Sequence, residues 1–119
     1  MKILVITAVL FTFVSRCSVA PVIVDREEAP VVHTSAELFA DDMEKMTGKL
    51  PLVLSGSSGV RGKAVIAGTI GISPLVDSLA SQGRIDVSPV AGVWEAYGIE
   101  TVKNPCDGIA EALVVYGND

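Results

Sequence analysis

The apolar run at residues 3–14, interrupted only by Thr7 and Thr12, decides how much of this chain is left to fold. Lys2 precedes it, and Ser18-Val19-Ala20 follows with small residues at both positions that a signal peptidase reads. This is the pattern of a secretory signal peptide over residues 1–20. A membrane span needs about 20 apolar residues, and Arg16 ends the run too early; no later segment does better. A lipoprotein anchor at Cys17 is disfavoured by Arg16, which stands where a small residue is expected. The expected product is secreted and extracellular, with residues 21–119 forming one small domain at most, since a domain usually takes roughly 100–200 residues.

Half the residues are hydrophobic and 19% are charged, so the chain has enough apolar surface to fold rather than stay disordered. Lys and Arg number 9 against 14 Asp and Glu, a net charge of −5, and loss of Lys2 and Arg16 with the leader makes the remainder more acidic still. No basic stripe is present to follow a phosphate backbone, which argues against nucleic acid and against an anionic membrane surface as partners. Export permits disulfides, but Cys17 leaves with the leader and Cys106 remains alone. Cys106 reads as a small half-buried hydrophobe near a turn, or as a thiol whose partner lies outside this sequence.

Residues 21–24 are extended and apolar, and a first strand is expected there. A charged connector over 25–30 ends in Pro30, which disfavours helix just before it. Thr34 with Glu37 three residues on makes a capping box, so a helix is predicted over 35–47 with Leu38, Phe39, Met43 and Met46 on its apolar side and Gly48 as a left-handed cap. Residues 50–54 and 63–67 read as short strands separated by Ser55-Gly56-Ser57-Ser58-Gly59. Ser73 offers an N-cap with Pro74 at the first helical position, Leu75, Val76, Leu79 and Ala80 give an apolar side, and Gly83 ends this second helix. Residues 93–102 read as a long strand, with Val93, Tyr97 and Ile99 on one face and Trp94, Ala96 and Val102 on the other. Residues 108–111 form a turn or brief helix, and 112–116 a final buried strand.

The order β, α, β, β, α, β, β predicts an α+β fold of the α/β two-layer type, a mixed sheet with two main helices on one face. The last strand has no covering element after it, so the fold is expected to be cut short at its C-terminal end, leaving that strand exposed to seek a neighbour.

Catalytic patterns are absent or broken. Gly62-Lys63 lacks the earlier glycine and the following Ser/Thr of a phosphate loop, and Gly68-Thr69-Ile70-Gly71 lacks the three-glycine spacing of a dinucleotide loop; a tight strand-to-helix turn accounts for it. His33 is the sole histidine, next to the predicted cap, where packing is the simpler role. Gly56-Ser57-Ser58-Gly59 is one residue short of a nucleophile elbow. Asp41, Asp42 and Glu44 lie on the polar side of the first helix, and Glu95 and Glu100 fall on opposite faces of one strand. Trp94 reads as core, with sugar stacking as its alternative. No catalytic, cofactor-binding or metal-ligating residue is assigned, and no cofactor is expected.

Gly68-Thr69-Ile70-Gly71, Ser73-Pro74-Leu75, Asp77, Gly83, Asp86-Val87-Ser88, Gly92, Trp94-Glu95, Asn104-Pro105, Ala112-Leu113-Val114 and Gly117 occur in an order and spacing that resembles the N-terminal region of glycoside hydrolase family 115, the xylan α-1,2-glucuronidases. The similarity runs from about Val22 to the end. Tyr97, Tyr116, Asn118 and Cys106-Asp107 depart from the family pattern. The resemblance implies an extracellular, inverting hydrolase that removes glucuronic acid or its 4-O-methyl ether from xylan, using two carboxyl groups about 6.5–9.5 Å apart. In that family the chemistry belongs to a barrel domain, absent from this chain, beside which the N-terminal domain packs. Residues 21–119 are thus expected to be a non-catalytic, incomplete α/β domain, with xylan or glucuronoxylan the partner of the full-length protein and the missing barrel the partner of the domain. The alternative is a small secreted carbohydrate-binding or interaction module without catalysis, using Trp94 and Tyr97.

Overall fold

The computed structural model describes residues 19–118, so the signal-peptide reading falls almost wholly outside the described residues, Cys17 included. Five strands and two helices follow one another in the expected order: β1 (Val22–Val24), α1 (Pro30–Thr47), β2 (Val53–Leu54), β3 (Gly62–Thr69), α2 (Pro74–Ser81), β4 (Tyr97–Cys106) and β5 (Ile109–Gly117). They make one mixed sheet of order β2-β1-β3-β5-β4. The first four strands of that order pair in parallel, and β4 pairs antiparallel with β5. The fold is α+β, as expected.

The final strand is not an edge. β5 lies between β3 and β4 and is paired along both sides, which corrects the expectation that it would be exposed. The hairpin through Asp107-Gly108 folds β4 back outside it, with Cys106 opposite Ile109. The turn is Asp107-Gly108 alone, with Gly108 at φ 88°, and residues 109–111, expected as turn or brief helix, are already the start of β5.

Alternation along the strands separates two cores. Ile23, Ala64, Ile66, Ala112, Val114 and Tyr116 turn to one face, where they meet Val76 and Leu79 of α2 and Ile85 and Val90 of the loop that follows it. Each large aliphatic side chain fully buried there contributes roughly 1.5–3 kcal/mol. Val22, Val24, Val65 and Ala67 turn to the other face and pack on Val32 and Ala36 of α1. The main core is therefore two layers thick, sheet against α2 and its loop, and α1 lies on the reverse rather than beside α2. β1 explains why: all three of its residues are apolar and buried, so the sequence carries no polar alternation to mark a solvent face.

α1 also begins earlier than its capping box suggests. Pro30 occupies the first helical turn, where a missing N–H costs nothing, and Ala29 precedes it with no side-chain cap. Thr34 and Glu37 consequently sit inside the helix. Its buried residues are Ala36 and Ala40, whose small side chains let the helix approach the sheet, while Leu38, Phe39 and Met46 are exposed instead of packed. Gly48, at φ 79°, closes the helix by donating its N–H to the Glu44 carbonyl at 2.7 Å.

α2 follows its sequence signals closely. The Ser73 Oγ accepts the Val76 N–H at 3.3 Å, and Pro74 opens the helix. Gly68 makes this docking possible: a Cβ there would stand 2.5 Å from the Ser73 Cβ and 2.9 Å from a Val76 methyl.

Candidate functional site

In open α/β sheets, ligands bind beyond the carboxyl ends of adjacent parallel strands that send their following segments to opposite faces. β1 and β3 meet that description, since β1 leads to α1 on one face and β3 to α2 on the other. The crevice between them is filled from within the chain. Glu28, only 5% exposed, accepts the Thr69 N–H at 2.6 Å through Oε1 and the Thr69 hydroxyl at 2.7 Å through Oε2. Both carboxylate oxygens are thereby used, and the turn before α1 is tied to the end of β3.

The Gly68-Thr69-Ile70-Gly71 turn spends its donors in the same way. Ile70 N–H reaches the Gly117 carbonyl at 2.8 Å, Gly71 N–H reaches Asp77 Oδ1 at 2.9 Å, and the Ile72 and Ser73 N–H groups both bond the Thr69 carbonyl. These amides close a strand-to-helix turn and leave no cradle of free donors for a phosphate.

Two recesses flank the crevice. On the α2 face a space of about 140 Å³ is lined by Asp25, Ser55, Ser57 and Ser73 among others. Ser57 has no base within this set, because His33 lies half-buried on α1, across the sheet. On the α1 face a wider groove of about 370 Å³ runs between Val32, Ala36 and Phe39 of the helix and Val65, Val115 and Tyr97 of the sheet. It is almost wholly apolar. Beyond the groove, Leu113 and Ile99 continue the same face and are exposed, so α1 covers the β1 and β3 half of this side and leaves the β5 and β4 half bare.

A polar network holds the long loop after α2. Tyr116 donates its hydroxyl to Glu100 Oε2 at 2.6 Å and lies 3.0 Å from the Asp86 carbonyl, and the Asp86 N–H donates to the same Glu100 oxygen at 3.0 Å. Burial, reinforced by the hydrogen bond to Glu100 and by the charges of Glu100 and Asp86, pushes the Tyr116 phenol up to about 12. Asp86 accepts both the hydroxyl and the N–H of Ser88, which hold its carboxyl below the usual range. Gly98 is required beside this network, because a Cβ there would meet the Tyr116 ring at 2.5 Å.

The residues singled out in sequence do not converge. Asp41, Asp42 and Glu44 are exposed on α1, with Asp42 3.7 Å from Lys45 in an ion pair of the solvated kind worth about 0–1 kcal/mol. Glu95 precedes β4 instead of lying on it, and Glu100 is engaged with Tyr116. Cys106 is half-buried against the main core at the end of β4. Among the described residues no cluster of three His, Cys, Asp or Glu side chains is placed to hold a metal ion, and no helix is long and apolar enough to cross a membrane.

Trp94 is the largest departure. Residues 93–96 form a turn rather than the start of a strand, and the indole is 76% exposed instead of buried in the core. Tyr97, at the first position of β4, is 72% exposed. Between them Glu95 takes φ 56°, a left-handed conformation that costs a non-glycine residue of order 1–3 kcal/mol when the surroundings impose it. Sequence reasoning also missed the Glu28–Thr69 lock, which joins residues 41 apart and has no local signature. Asp86 with Ser88 was the one legible fragment of the Tyr116 network, since Asp followed two residues on by Ser is an Asx-turn pattern.

Neither a family model nor a curated protein matches this chain.

Proposed function

We propose that the chain is the N-terminal, non-catalytic α/β portion of a secreted xylan α-1,2-glucuronidase of the family 115 type, an inverting hydrolase that removes glucuronic acid or its 4-O-methyl ether from xylan. The motif order between Gly68 and Gly117 carries this reading. The bare half of the α1 face supports it. Leu113, Ile99, Tyr97 and Phe39 expose apolar surface beside an apolar groove, which suits a domain that packs against a larger body. The polar groups at the crevice between β1 and β3 bond one another, which suits a scaffold more than a reaction centre.

Glucuronic acid release from glucuronoxylan tests it. The purified chain is expected to release none, and a native secreted polypeptide carrying this sequence is expected to release it. Activity in the purified chain would overturn the non-catalytic assignment; inactivity of the native polypeptide would overturn the family.

A further inference from the structure

Asp107-Gly108 is the only Asp-Gly step in the chain, and it forms the whole loop between β4 and β5, with Cys106 paired to Ile109 across it. Both residues are exposed. Among the described residues the Asp107 carboxylate has neither a hydrogen bond nor an ion pair, and the Gly108 N–H donates to no acceptor. Gly108 is held through its carbonyl instead, which accepts the Gly62 N–H at 3.1 Å. The side-chain carboxyl carbon of Asp107 and the amide nitrogen that follows it are the two atoms that close a five-membered imide, and both are unengaged and open to water.

Glycine makes that closure easy, because it carries no side chain to crowd the attacking nitrogen. This turn cannot dispense with it. Gly108 holds φ 88°, which glycine adopts without penalty, and a Cβ there would stand 2.7 Å from the Val60 carbonyl oxygen and collide with the Arg61 guanidinium. The hairpin therefore fixes after Asp107 the residue that hinders imide closure least. Asp77-Ser78 is the opposite case. The Asp77 Oδ1 is taken by the Gly71 N–H at 2.9 Å, and both residues lie inside α2, where the backbone is held in helical geometry.

We propose that Asp107-Gly108 is a site of spontaneous isoaspartate formation in the folded protein. The Gly108 nitrogen gives up its proton and bonds to the Asp107 Cγ, and one carboxyl oxygen leaves as water, so that a cyclic imide replaces the acid. Both reacting atoms belong to adjacent residues, and the step needs no partner but solvent. Water then adds at one of the two imide carbonyls. Breaking the bond from nitrogen to Cγ restores aspartate. Breaking the bond from nitrogen to the Asp107 backbone carbonyl carbon frees that carbon as a carboxylate and leaves the chain running through the side chain, one carbon longer. The water lost in the first step is regained in the second, and nothing is oxidised or reduced. A lengthened loop no longer matches a two-residue connection, so its effect falls on the Cys106–Ile109 pairing and on the Gly62–Gly108 bond. None of this depends on the glucuronidase reading.

The test is to hold the full chain at neutral pH and physiological temperature for several weeks, natively and in parallel in urea. Peptide mapping with electron-transfer fragmentation then separates isoaspartyl from aspartyl peptides of equal mass. Isoaspartate is expected to accumulate at Asp107 in the native sample at a rate comparable with that in urea, and to be absent at Asp77 in the native sample. Asp107→Glu, which would have to close a six-membered ring, should lose the signal, and Asp107→Asn should gain it faster, with ammonia leaving in place of water. Absence of isoaspartate at Asp107 in the native sample, whether or not the unfolded chain reacts, would overturn the site. Equal accumulation at Asp77 in the native sample would do the same, since it would show that the exposed, unengaged hairpin confers nothing.

Discussion

At the residue scale, two internal carboxylates do structural work that no local motif announces. Glu28 is buried with both oxygens occupied by Thr69, so Thr69→Val removes the hydroxyl donor and leaves one carboxylate oxygen unsatisfied. The expected cost is about 1–3 kcal/mol, read as a fall in the urea midpoint with unchanged slope. Glu100 holds Tyr116, and the raised phenol has a definite pH signature. An unfolded tyrosine titrates near 10, so a folded-state value of about 12 means the fold favours the protonated phenol. That contribution is complete below pH about 10 and is lost as pH rises toward about 12. In Tyr97→Phe the sole tyrosine is Tyr116, and its tyrosinate absorbance should appear only well above the ordinary range; titration at the ordinary value would show that neither the burial of the phenol nor its contact with Glu100 is kept in solution. Trp94 shows where residue statistics mislead. A lone tryptophan is more often core, and nothing in Val93-Trp94-Glu95-Ala96 marks the positive φ at Glu95 that turns this segment away from the sheet.

At the scale of elements, legibility followed how local the determining interaction was. α2 could be read to the residue at its start because its determinants, Ser73 and Pro74, lie within its own first turn. Ser73→Ala is expected to cost about 1 kcal/mol through the lost cap. Gly68→Ala should cost more, since the added methyl meets the Ser73 and Val76 side chains across a packed contact where overpacking costs about 1–3 kcal/mol; thermal melts of the two variants rank them, and equal midpoints would contradict the close approach. α1 was harder. Thr34 and Glu37 imitate a start, but the helix begins at Pro30, since Val32 and Ala36 are the residues that meet Val22 and Val24 across the sheet. Packing over a distance outranked a local cap. The same limit hid the placement of the helices: β1 is apolar throughout, and only its register beside β3 shows that Ile23 faces α2 while Val22 and Val24 face α1. β4 begins at Tyr97 and not at Val93 because the turn at Glu95 precedes it, and it runs on through Lys103 to Cys106, while β5 begins at Ile109 because the turn at Gly108 is tight.

At the scale of the whole molecule, the uneven covering of the sheet connects fold to proposed role. One face is closed by α2 and its loop, and the other is closed only over β1 and β3. Leu113 and Ile99 on the open half predict concentration-dependent self-association of the isolated chain, relieved in Ile99→Lys/Leu113→Lys without loss of the melt, as sedimentation velocity would show. A wild-type chain that stays monomeric across the range would indicate that this face needs no cover. The glucuronidase reading rests on motif order, and the open face supplies the physical reason for a larger body beside this domain. The most direct test is the assay of glucuronic acid release from glucuronoxylan by the native secreted polypeptide that carries this sequence. Release with inversion at the anomeric carbon is predicted; a native polypeptide that binds xylan and releases nothing would contradict the central claim and leave a binding module in its place.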